Sequence, residues 1–471
     1  MVFSSTIFLF LFLPLFLGVY YLLPFRYRSP WILFASYLFY GWWRLDFLAL
    51  ILASTLWSHL LGRNAAAGSR RAMITAVALN LGLLGYFKYF NFGIDSLSRL
   101  LRVLGAPGLT AWEVVLPVGI SFYVFQATSY VIDVYRGDAD VADSFWDLAA
   151  YIALFPQLVA GPILRYRDVA DQLRQRRHSL DLFGAGTRRF MVGFAKKVLI
   201  ADTVAPVVDL CFGVADPSAG DAWLGTIAYG VQIFYDFSAY SDMAIGLGAM
   251  IGFRFRENFH RPYLASSIAD FWRRWHISLS SWLRDYLYLP LGGNRRGRRR
   301  TYVNLLTVMV LGGLWHGAAW TFVFWGFWHG LLLVGERAIR EQRGPREGLL
   351  PRPLAVALTT LLVFIGWVPF RAPDIETFRA FILAMAGGGA QGLGMGLSLS
   401  DTIAWQIPTI GLAAVAFGLG LVYIEPALRR LGFFGRRGTA FAGAPAIIGL
   451  FLVSIVKLTA ESFSPFLYFQ F

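Results

Sequence analysis

Two histidines stand in a strongly apolar stretch of the sequence, "GLWHGAAWTFVFWGFWHG", at residues 313–330. His316 and His329 are surrounded there by Trp, Phe, Gly and Ala, without any formal charge. A neutral imidazole in a low dielectric is a good general base, because burial keeps it unprotonated near pH 7. The glycine beside His316 also lets other backbones approach closely. The stretch therefore permits acid–base chemistry, but a buried histidine that donates to a carbonyl is the favoured interpretation at each position taken singly.

A shared metal ion is a second explanation for the pair. If residues 313–330 formed one continuous helix, His316 and His329 would lie about 20 Å apart and about 220° around its axis. The stretch also lacks an H-E-x-x-H motif, a cysteine pair and a carboxylate, so we expect no metal site. The single cysteine, Cys211, excludes an intramolecular disulfide and any multi-cysteine metal cluster.

Carboxylates form a second set of candidates. Asp236 and Asp242 lie in the apolar segment "GVQIFYDFSAYSDMAIGLG", and Tyr240 follows Asp236 by one helical turn on the same face. A charged side chain at the centre of a bilayer costs about 2.5 to 3.5 kcal/mol, so each such group is a functional candidate. The favoured interpretation of the two aspartates, however, is a structural hydrogen-bonded pair that holds bundle helices together.

A third set lies in "NFHRPYLASSIADFWRRWHISLSSWLRDYLYLPLGG", residues 258–293. Asp270 can pair with Arg273 and Arg274 along one helix, and the tryptophans of the segment suit a membrane interface. The composition is that of an interfacial helix. His276 stands in its middle, where a structural donor is favoured over a catalyst.

The elements that must position these residues are membrane helices. The chain has 471 residues, of which 57% are hydrophobic and 15% charged, whereas soluble domains average about 25% charged residues. The first apolar run, 5–25, lacks a basic region and an A-x-A-like site, so we expect an integral helix there. The expected helical segments are 5–23, 30–43, 45–62, 72–92, 112–132, 146–164, 187–212, 222–250, 263–289, 301–316, 318–338, 354–371, 404–424 and 440–457.

Several of these segments contain proline, glycine or charged residues. A bilayer tolerates such segments only where protein buries them or where they line a water-filled cavity. We therefore expect about 11 crossings together with re-entrant or interfacial helices. Basic loops at 62–71, 292–300, 336–346 and 429–438 should be cytoplasmic. Arg165, Arg167 and Arg174 fit the cytoplasm only if one preceding segment does not cross. The net charge of +14 is explained by these loops, and we expect no nucleic-acid partner.

Four parts of the sequence together closely resemble the membrane-bound O-acyltransferase (MBOAT) family. They are "YDFSAYSDMAIG", "NFHRPYLASSIADFWRRWHISLSSWLRDYLYLPLGGN", "GLWHGAAWTFVFWGFWHG" and the terminal "FLYFQF". Within the family they resemble the bacterial alginate O-acetyltransferase branch. The resemblance implies an all-α polytopic fold around a central funnel, with one domain over 1–471. Its motifs are densest from about 115 to 335, and an aromatic tail covers 459–471.

The resemblance also implies roles for individual residues. His316, in "LWHG", matches the family's active-site histidine at the bottom of the funnel, and His276, in "RWHISLS", matches its second polar partner. His329 matches a less central position. Tyr468, in "FLYFQF", matches the tyrosine of an F-x-Y-F-x-F signature that is proposed to carry an acyl group in the related D-alanine export system. The supporting residues expected in the substrate channel are Asp236, Tyr240, Asp242, Asp270, Arg273, Arg274, Trp315 and His329.

The implied activity is O-acyl transfer in a bacterial inner membrane. The expected donor is acetyl-CoA, and no bound cofactor or metal is implied. The expected partners are a periplasmic SGNH-hydrolase-like acetyltransferase and, as final acceptor, an exported polysaccharide such as alginate. Alternatives within the family are a D-alanyl payload or a peptidoglycan, cellulose or lipid acceptor. A transporter or flippase that uses these histidines and aspartates as a proton relay is the alternative outside it.

Overall fold

The computed structural model describes residues 1–343, 350–388, 398–430 and 439–460. These residues form helices joined by short connections, and no strand occurs among them. The apolar composition and the helices agree with an all-α polytopic membrane protein, so this prediction is confirmed. Since backbone groups in hydrocarbon must be satisfied within the chain, helices are the expected solution for such a sequence.

The first half of the chain contains ten helices among the described residues. They are α1 Leu13–Leu22, α2 Phe25–Gly41, α3 Leu48–Ala66, α4 Arg70–Val103, α5 Ile120–Arg136, α6 Phe145–Ile152, α7 Phe155–Leu158, α8 Tyr166–Arg174, α9 Leu180–Ala195 and α10 Asp202–Gly213. π-helical turns precede α1 at Phe8–Phe12 and join α9 to α10 at Lys196–Ala201.

The second half continues with helices of very different lengths. They are α11 Ala219–Met250, α12 Ile268–Arg274, α13 Ile277–Leu283, α14 Arg298–His316, α15 Trp320–Arg343, α16 Arg352–Arg371, α17 Ile375–Met385, α18 Asp401–Gln406, α19 Thr409–Arg430 and α20 Thr439–Ala460. A 3-10 turn at Pro262–Leu264 precedes α12, and a π-helical turn at Arg284–Tyr288 follows α13.

Three described helical spans are both long and apolar enough to cross a bilayer: Arg70–Val103, Arg352–Arg371 and Gly443–Ala460. Shorter apolar helices cover Phe8–Leu22 and Thr409–Glu425. The other long helices either contain polar groups or end before their apolar stretch is long enough to cross a bilayer. The number of about 11 crossings therefore stays a prediction.

The chain folds as two compact units. The first contains Met1–Phe190 and Met243–Arg256, and the second contains Met191–Asp242 and the described residues from Glu257 onward. The expectation of one domain over 1–471 stays a prediction. The two histidine motifs and α11 up to Asp242 belong to the second unit.

The first unit is organised around a short buried segment. Phe155, at the start of α7, packs against the rings of Phe12, Phe16 and Phe39, with ring centroids 5.3, 4.9 and 5.5 Å away. Aromatic clusters of this kind bury large apolar areas in few residues. They explain how α6 and α7, of eight and four residues, are held inside the unit.

The segment 146–164 was one of the fourteen segments expected to be helical. It does not form a single helix. It contains α6, α7 and an irregular stretch before α8, and residues 148–164 are buried throughout. Pro156 and Gly161 interrupt the pattern, and Gly161 lies so close to the backbone of Gln157 that a Cβ there would meet its Cα at 2.4 Å. We therefore predict that 146–164 is the segment that does not cross, as a cytoplasmic position of the basic residues in 165–177 requires.

Hydrogen bonds inside the first unit bring basic residues from separate segments together at one end of that unit. Arg176 donates to the Ser29 hydroxyl at 3.2 Å, and Tyr20 contacts His178 Nε2 at 2.8 Å. The loop 104–119 packs instead beside the far end of α4, where Asn91 donates to the Val114 carbonyl at 2.9 Å. With basic residues on the cytoplasmic side, this loop should face outside.

Cysteine labelling should confirm this arrangement. In a Cys211→Ala background, Thr110→Cys should react with a membrane-impermeant maleimide in cells whose outer membrane alone is permeabilised. Arg177→Cys should react only after the inner membrane is opened. Both positions are exposed, so access depends on the side of the membrane. Labelling of both from the same side would contradict the orientation.

Candidate active site

The apolar histidine stretch forms a helical hairpin. α14 ends at His316, Gly317 is extended with φ −154° and ψ 148°, and α15 begins at Trp320. The two helices run antiparallel in very close contact, because a Cβ at Gly313 would meet the Phe322 carbonyl oxygen at 2.2 Å. A Cβ at Gly326 would meet the Met309 carbonyl oxygen at 2.3 Å. Small residues thus let the two backbones touch, as is common between membrane helices.

A cavity of about 250 Å³ runs beside this hairpin, with almost entirely apolar walls. His316 is one of its lining residues and is 4% exposed. One face of α14 supplies a wall from Leu305 to His316, which are eleven residues or about 16 Å apart along a helix. The cavity residues of α14 are Leu305, Val308, Met309, Gly312 and His316.

Opposite α14, the wall comes from the segment after His276. Ser280, Arg284 and Tyr288 line the cavity and are spaced four residues apart, which places them on one helical face. Arg284 is largely exposed and pairs with Asp285 at 2.8 Å. The cavity therefore joins an arginine and a tyrosine to the buried imidazole of His316 through apolar walls.

The imidazole of His316 lies in an aromatic cage. Its ring centroid is 5.0 Å from the Trp325 ring, 5.1 Å from Phe370 and 5.0 Å from Trp315. His276 lies 6.0 Å away. The structure thus brings together His316, His276 and Trp315, three of the residues expected in the site. Aromatic rings exclude water and keep the dielectric around His316 low.

His276 breaks the segment that the sequence suggested was one helix over 263–289. It adopts a left-handed conformation, φ 43° and ψ 54°, between α12 and α13. That conformation costs a non-glycine residue about 1 to 2 kcal/mol. Its ring is fully buried and packs edge-on against Phe237 at 4.6 Å. The single-helix prediction is wrong here, and the break points the imidazole toward His316.

His329 occupies a separate position on α15. Trp325 lies between the two histidines, 5.0 Å from His316 and 5.1 Å from His329. The distance expected between His316 and His329 was that of one continuous helix over residues 313–330. The structure has a helical hairpin there instead. His329 is fully buried and does not line the cavity. Among the described residues, no group of three or more His, Cys, Asp or Glu side chains could hold a metal ion.

The two aspartates of α11 form ion pairs with neighbouring lysines. Lys197 Nζ lies 2.6 Å from both Asp202 Oδ1 and Asp236 Oδ1, and the side chains of Lys197 and Asp236 are 5% and 1% exposed. Lys196 pairs with Asp242 at 2.6 Å, nearer the surface. The contacts favour the structural interpretation of both aspartates, and their expected place in the substrate channel stays a prediction.

Removal of the deeper lysine should be far more damaging than removal of its neighbour. Lys197→Met leaves Asp202 and Asp236 without their shared cation, and breaking a buried pair costs about 3 to 5 kcal/mol. Lys196→Met breaks a partly exposed pair, worth about 1 kcal/mol or less. Thermal unfolding of both purified variants in detergent checks this. Equal losses of thermal stability in the two variants would contradict the assignment of Lys197 as the buried centre of these ion pairs.

The remaining supporting residues, Asp270, Arg273, Arg274 and Tyr240, are not among the residues that line the cavity. Asp270 lies 3.0 Å from Arg274 and 3.7 Å from Arg273, so their expected pairing along one helix is confirmed. Tyr240 is buried on α11, one turn beyond Asp236. Their roles in the channel stay predictions.

Sequence reasoning missed several cavity residues and could not place one candidate. Ser280, Arg284 and Tyr288 recur every four residues, a helical spacing that could have identified them. Trp325 lies between the two histidines and also lines the cavity. Tyr468 lies outside the described residues, so its expected role as acyl carrier stays a prediction.

Known proteins are similar to this chain over all or most of its length. Residues 142–346 match the membrane-bound O-acyltransferase family. The chain is 50% identical over 503 aligned residues to the "Probable alginate O-acetylase" of Azotobacter vinelandii and 49% identical over 489 to that of Pseudomonas putida, with complete coverage of all chains. It is 33% identical over 426 residues to the "Peptidoglycan O-acetyltransferase" of Helicobacter pylori, covering 82% of this chain and 80% of the relative.

Proposed function

Because the chain belongs to the membrane-bound O-acyltransferase family, in its alginate O-acetylase-like branch, it is an O-acyltransferase, and we propose that it passes acetyl groups from acetyl-CoA across the membrane. The acetyl groups serve O-acetylation of an exported polysaccharide such as alginate. The observation that carries this proposal is the apolar cavity that leads from Arg284 and Tyr288 to His316.

The cavity has the character that an acyl thioester needs. Its walls are apolar, and α14 contributes to them from Leu305 to His316, which suits a pantetheine arm and an acetyl group. α14 starts at Arg298, directly after the sequence "GGNRRG". Arginines bind phosphates through charge-assisted hydrogen bonds and attract anionic substrates. The nucleotide phosphates of the donor would thus stay at the basic loop while the thioester reaches the histidine.

His316 is the general base of the proposed reaction. It takes the proton from an acceptor hydroxyl, whose oxygen attacks the thioester carbonyl carbon. The carbon–sulfur bond then breaks, an ester forms, and the coenzyme A thiolate takes up the proton from the imidazolium. His276, whose ring is 6.0 Å from that of His316, supports the charge that develops in this step. The aromatic cage limits competing hydrolysis because it excludes water.

The second half of the proposed route leads outward. Tyr468 is the candidate first acceptor, on the basis of its "FLYFQF" sequence. The acetyl group would then pass to a periplasmic SGNH-hydrolase-like acetyltransferase, which transfers it to the polysaccharide. This route places the protein in a bacterial inner membrane. The names of the relatives support an acetyl payload and a polymeric acceptor.

Mass spectrometry of the purified protein tests the proposal. After incubation with isotopically labelled acetyl-CoA, free coenzyme A is quantified and the C-terminal peptide is analysed for label, in the native protein and in His316→Ala. Label on Tyr468 that disappears in the variant supports both donor and relay. Coenzyme A release with labelled glycan but unlabelled Tyr468 would support direct transfer and overturn the relay. No release of coenzyme A with any acceptor would overturn the acetyl-CoA assignment.

A further inference from the structure

We propose that Asn258 is a positioning residue that holds His276 in its left-handed conformation and so directs its imidazole toward His316. The inference rests on the proposed function, because it concerns the histidine pair of that site. Asn258 is 1% exposed and lies 18 residues before His276 in the chain. Both residues belong to the same compact unit.

Hydrogen bonds from the Asn258 segment flank His276 on both sides. The Asn258 carbonyl accepts from Ile277 N at 2.9 Å, and its Oδ1 accepts from Ser278 N at 3.2 Å and from Ser278 Oγ at 2.8 Å. On the other side, His260 N donates to the Arg274 carbonyl at 2.9 Å. The chain on either side of His276 is therefore fastened to one short segment.

These contacts meet a specific need of the backbone. The first N–H groups of a helix have no partner within it, and in α13 the side chain and carbonyl of Asn258 satisfy those of Ile277 and Ser278. Left-handed backbone is rare outside glycine and persists only where its surroundings enforce it. Among the described residues, His276 and Arg261 are the non-glycine residues with positive φ. Arg261 follows the same segment and is held by Glu425 at 2.8 Å.

The orientation of His276 also affects the cavity wall. The His276 carbonyl accepts from Ser280 N at 3.0 Å, and Ser280 lines the cavity with Leu279 and Leu283 of the same helix. If the left-handed turn relaxed, α13 would swing with the imidazole. Asn258 acts through this turn and not by contact with substrate.

A double-mutant cycle on the full-length protein in liposomes, with coenzyme A release from acetyl-CoA as the readout, tests the inference. Asn258→Ala should lower kcat by about 100-fold, as a displacement of about 1 Å at a reacting centre can do, and change the KM for acetyl-CoA little. His276→Gln should also lower kcat. In the His276→Gln background, Asn258→Ala should have little further effect, because the residue that it positions is already gone.

Two further variants separate positioning from folding. Asn258→Asp keeps the Oδ1 acceptor and should restore most of the activity lost in Asn258→Ala. Asn80→Ala removes another buried asparagine, which bonds Ser54, Trp57 and Ser58 in the other unit, and should leave kcat per folded molecule unchanged. Native-like elution in detergent shows which variants are folded.

The outcomes distinguish this inference from the proposed function. If His276→Gln lowers kcat while Asn258→Ala does not, or if the two losses multiply fully, the positioning role is overturned and acetyl transfer stands. Full activity of His276→Gln overturns the positioning role as well. Absence of coenzyme A release in the native protein overturns the proposed donor itself.

Discussion

Replacement of His316 by alanine should abolish acetyl transfer while the protein stays inserted and folded. A positioned general base contributes about 10²- to 10⁴-fold to a rate, and His316 is the imidazole that lines the cavity. His316→Gln, which keeps most of the side-chain volume, should lose activity to a similar extent. The measurement is the rate of coenzyme A release from acetyl-CoA by equal amounts of folded protein.

Other buried histidines provide the controls. His59 on α3 is 8% exposed and packs against Phe145 at 5.7 Å in the other unit, so His59→Gln should retain the native rate. His329→Gln should have a smaller effect than His316→Gln, since Trp325 lies between His329 and the cavity histidine. Retained activity in His316→Ala would remove His316 from the mechanism.

Gly326→Ala should lower activity as severely as loss of a catalytic group. The cause would be a change in the packing of α14 against α15, and no catalytic side chain would be removed. The new Cβ would meet the Met309 carbonyl oxygen at 2.3 Å and the Val310 Cα at 2.8 Å, and backbone atoms cannot move aside individually. Overpacking of this kind costs about 1 to 3 kcal/mol. Because α14 carries the cavity wall and His316, separation of α14 from α15 should also lower activity strongly. Thermal unfolding and acetyl transfer measured on the same preparation check both effects.

Gly335→Ala is the matched control on the same helix. A Cβ at Gly335 would meet nothing within 4 Å, and alanine is favoured over glycine in a helix by about 1 kcal/mol. Gly335→Ala should therefore keep or raise the unfolding temperature and leave activity intact. Equal behaviour of the two variants would show that the close approach of α14 and α15 does not hold the site together.

The sequence was sufficient to predict the helices for physical reasons, whereas the roles expected for the site residues came from a family resemblance and stay predictions. Long apolar runs permit few structures other than helices in a membrane, and an imidazole among tryptophans and glycines stands out without any structural information. The pairing of His316 with His276 and Trp315 came instead from the resemblance of "RWHISLS" and "LWHG" to the membrane-bound O-acyltransferase family, and the structure brings these three side chains together. The close packing of α14 and α15 also has a sequence signal, since Gly326 and Gly330 are spaced as in small-residue contacts between helices.

The interruptions of the helices were harder to predict because distant partners cause them. The left-handed turn at His276 depends on Asn258, and the hydrogen bond between Asn258 and Ser278 joins residues 20 apart. The apolar residues of 263–289 are spaced as in a helix, and nothing in that segment indicates that Asn258 is a partner. The partners of the α11 aspartates were missed for the same reason, since Lys197 precedes Asp236 by 39 residues.

The charges around Lys197 have a consequence for biogenesis. An unpaired lysine or aspartate enters hydrocarbon only at a cost of about 2.5 to 3.5 kcal/mol. Lys197 reaches the membrane together with one partner, Asp202, whereas its second partner, Asp236, follows later in the nascent chain on α11. Lys197 and Asp202 can therefore compensate each other early, and α11 should insert stably only when Asp236 meets Lys197. In Lys197→Met, α11 should insert poorly and the chain should be removed by membrane proteases.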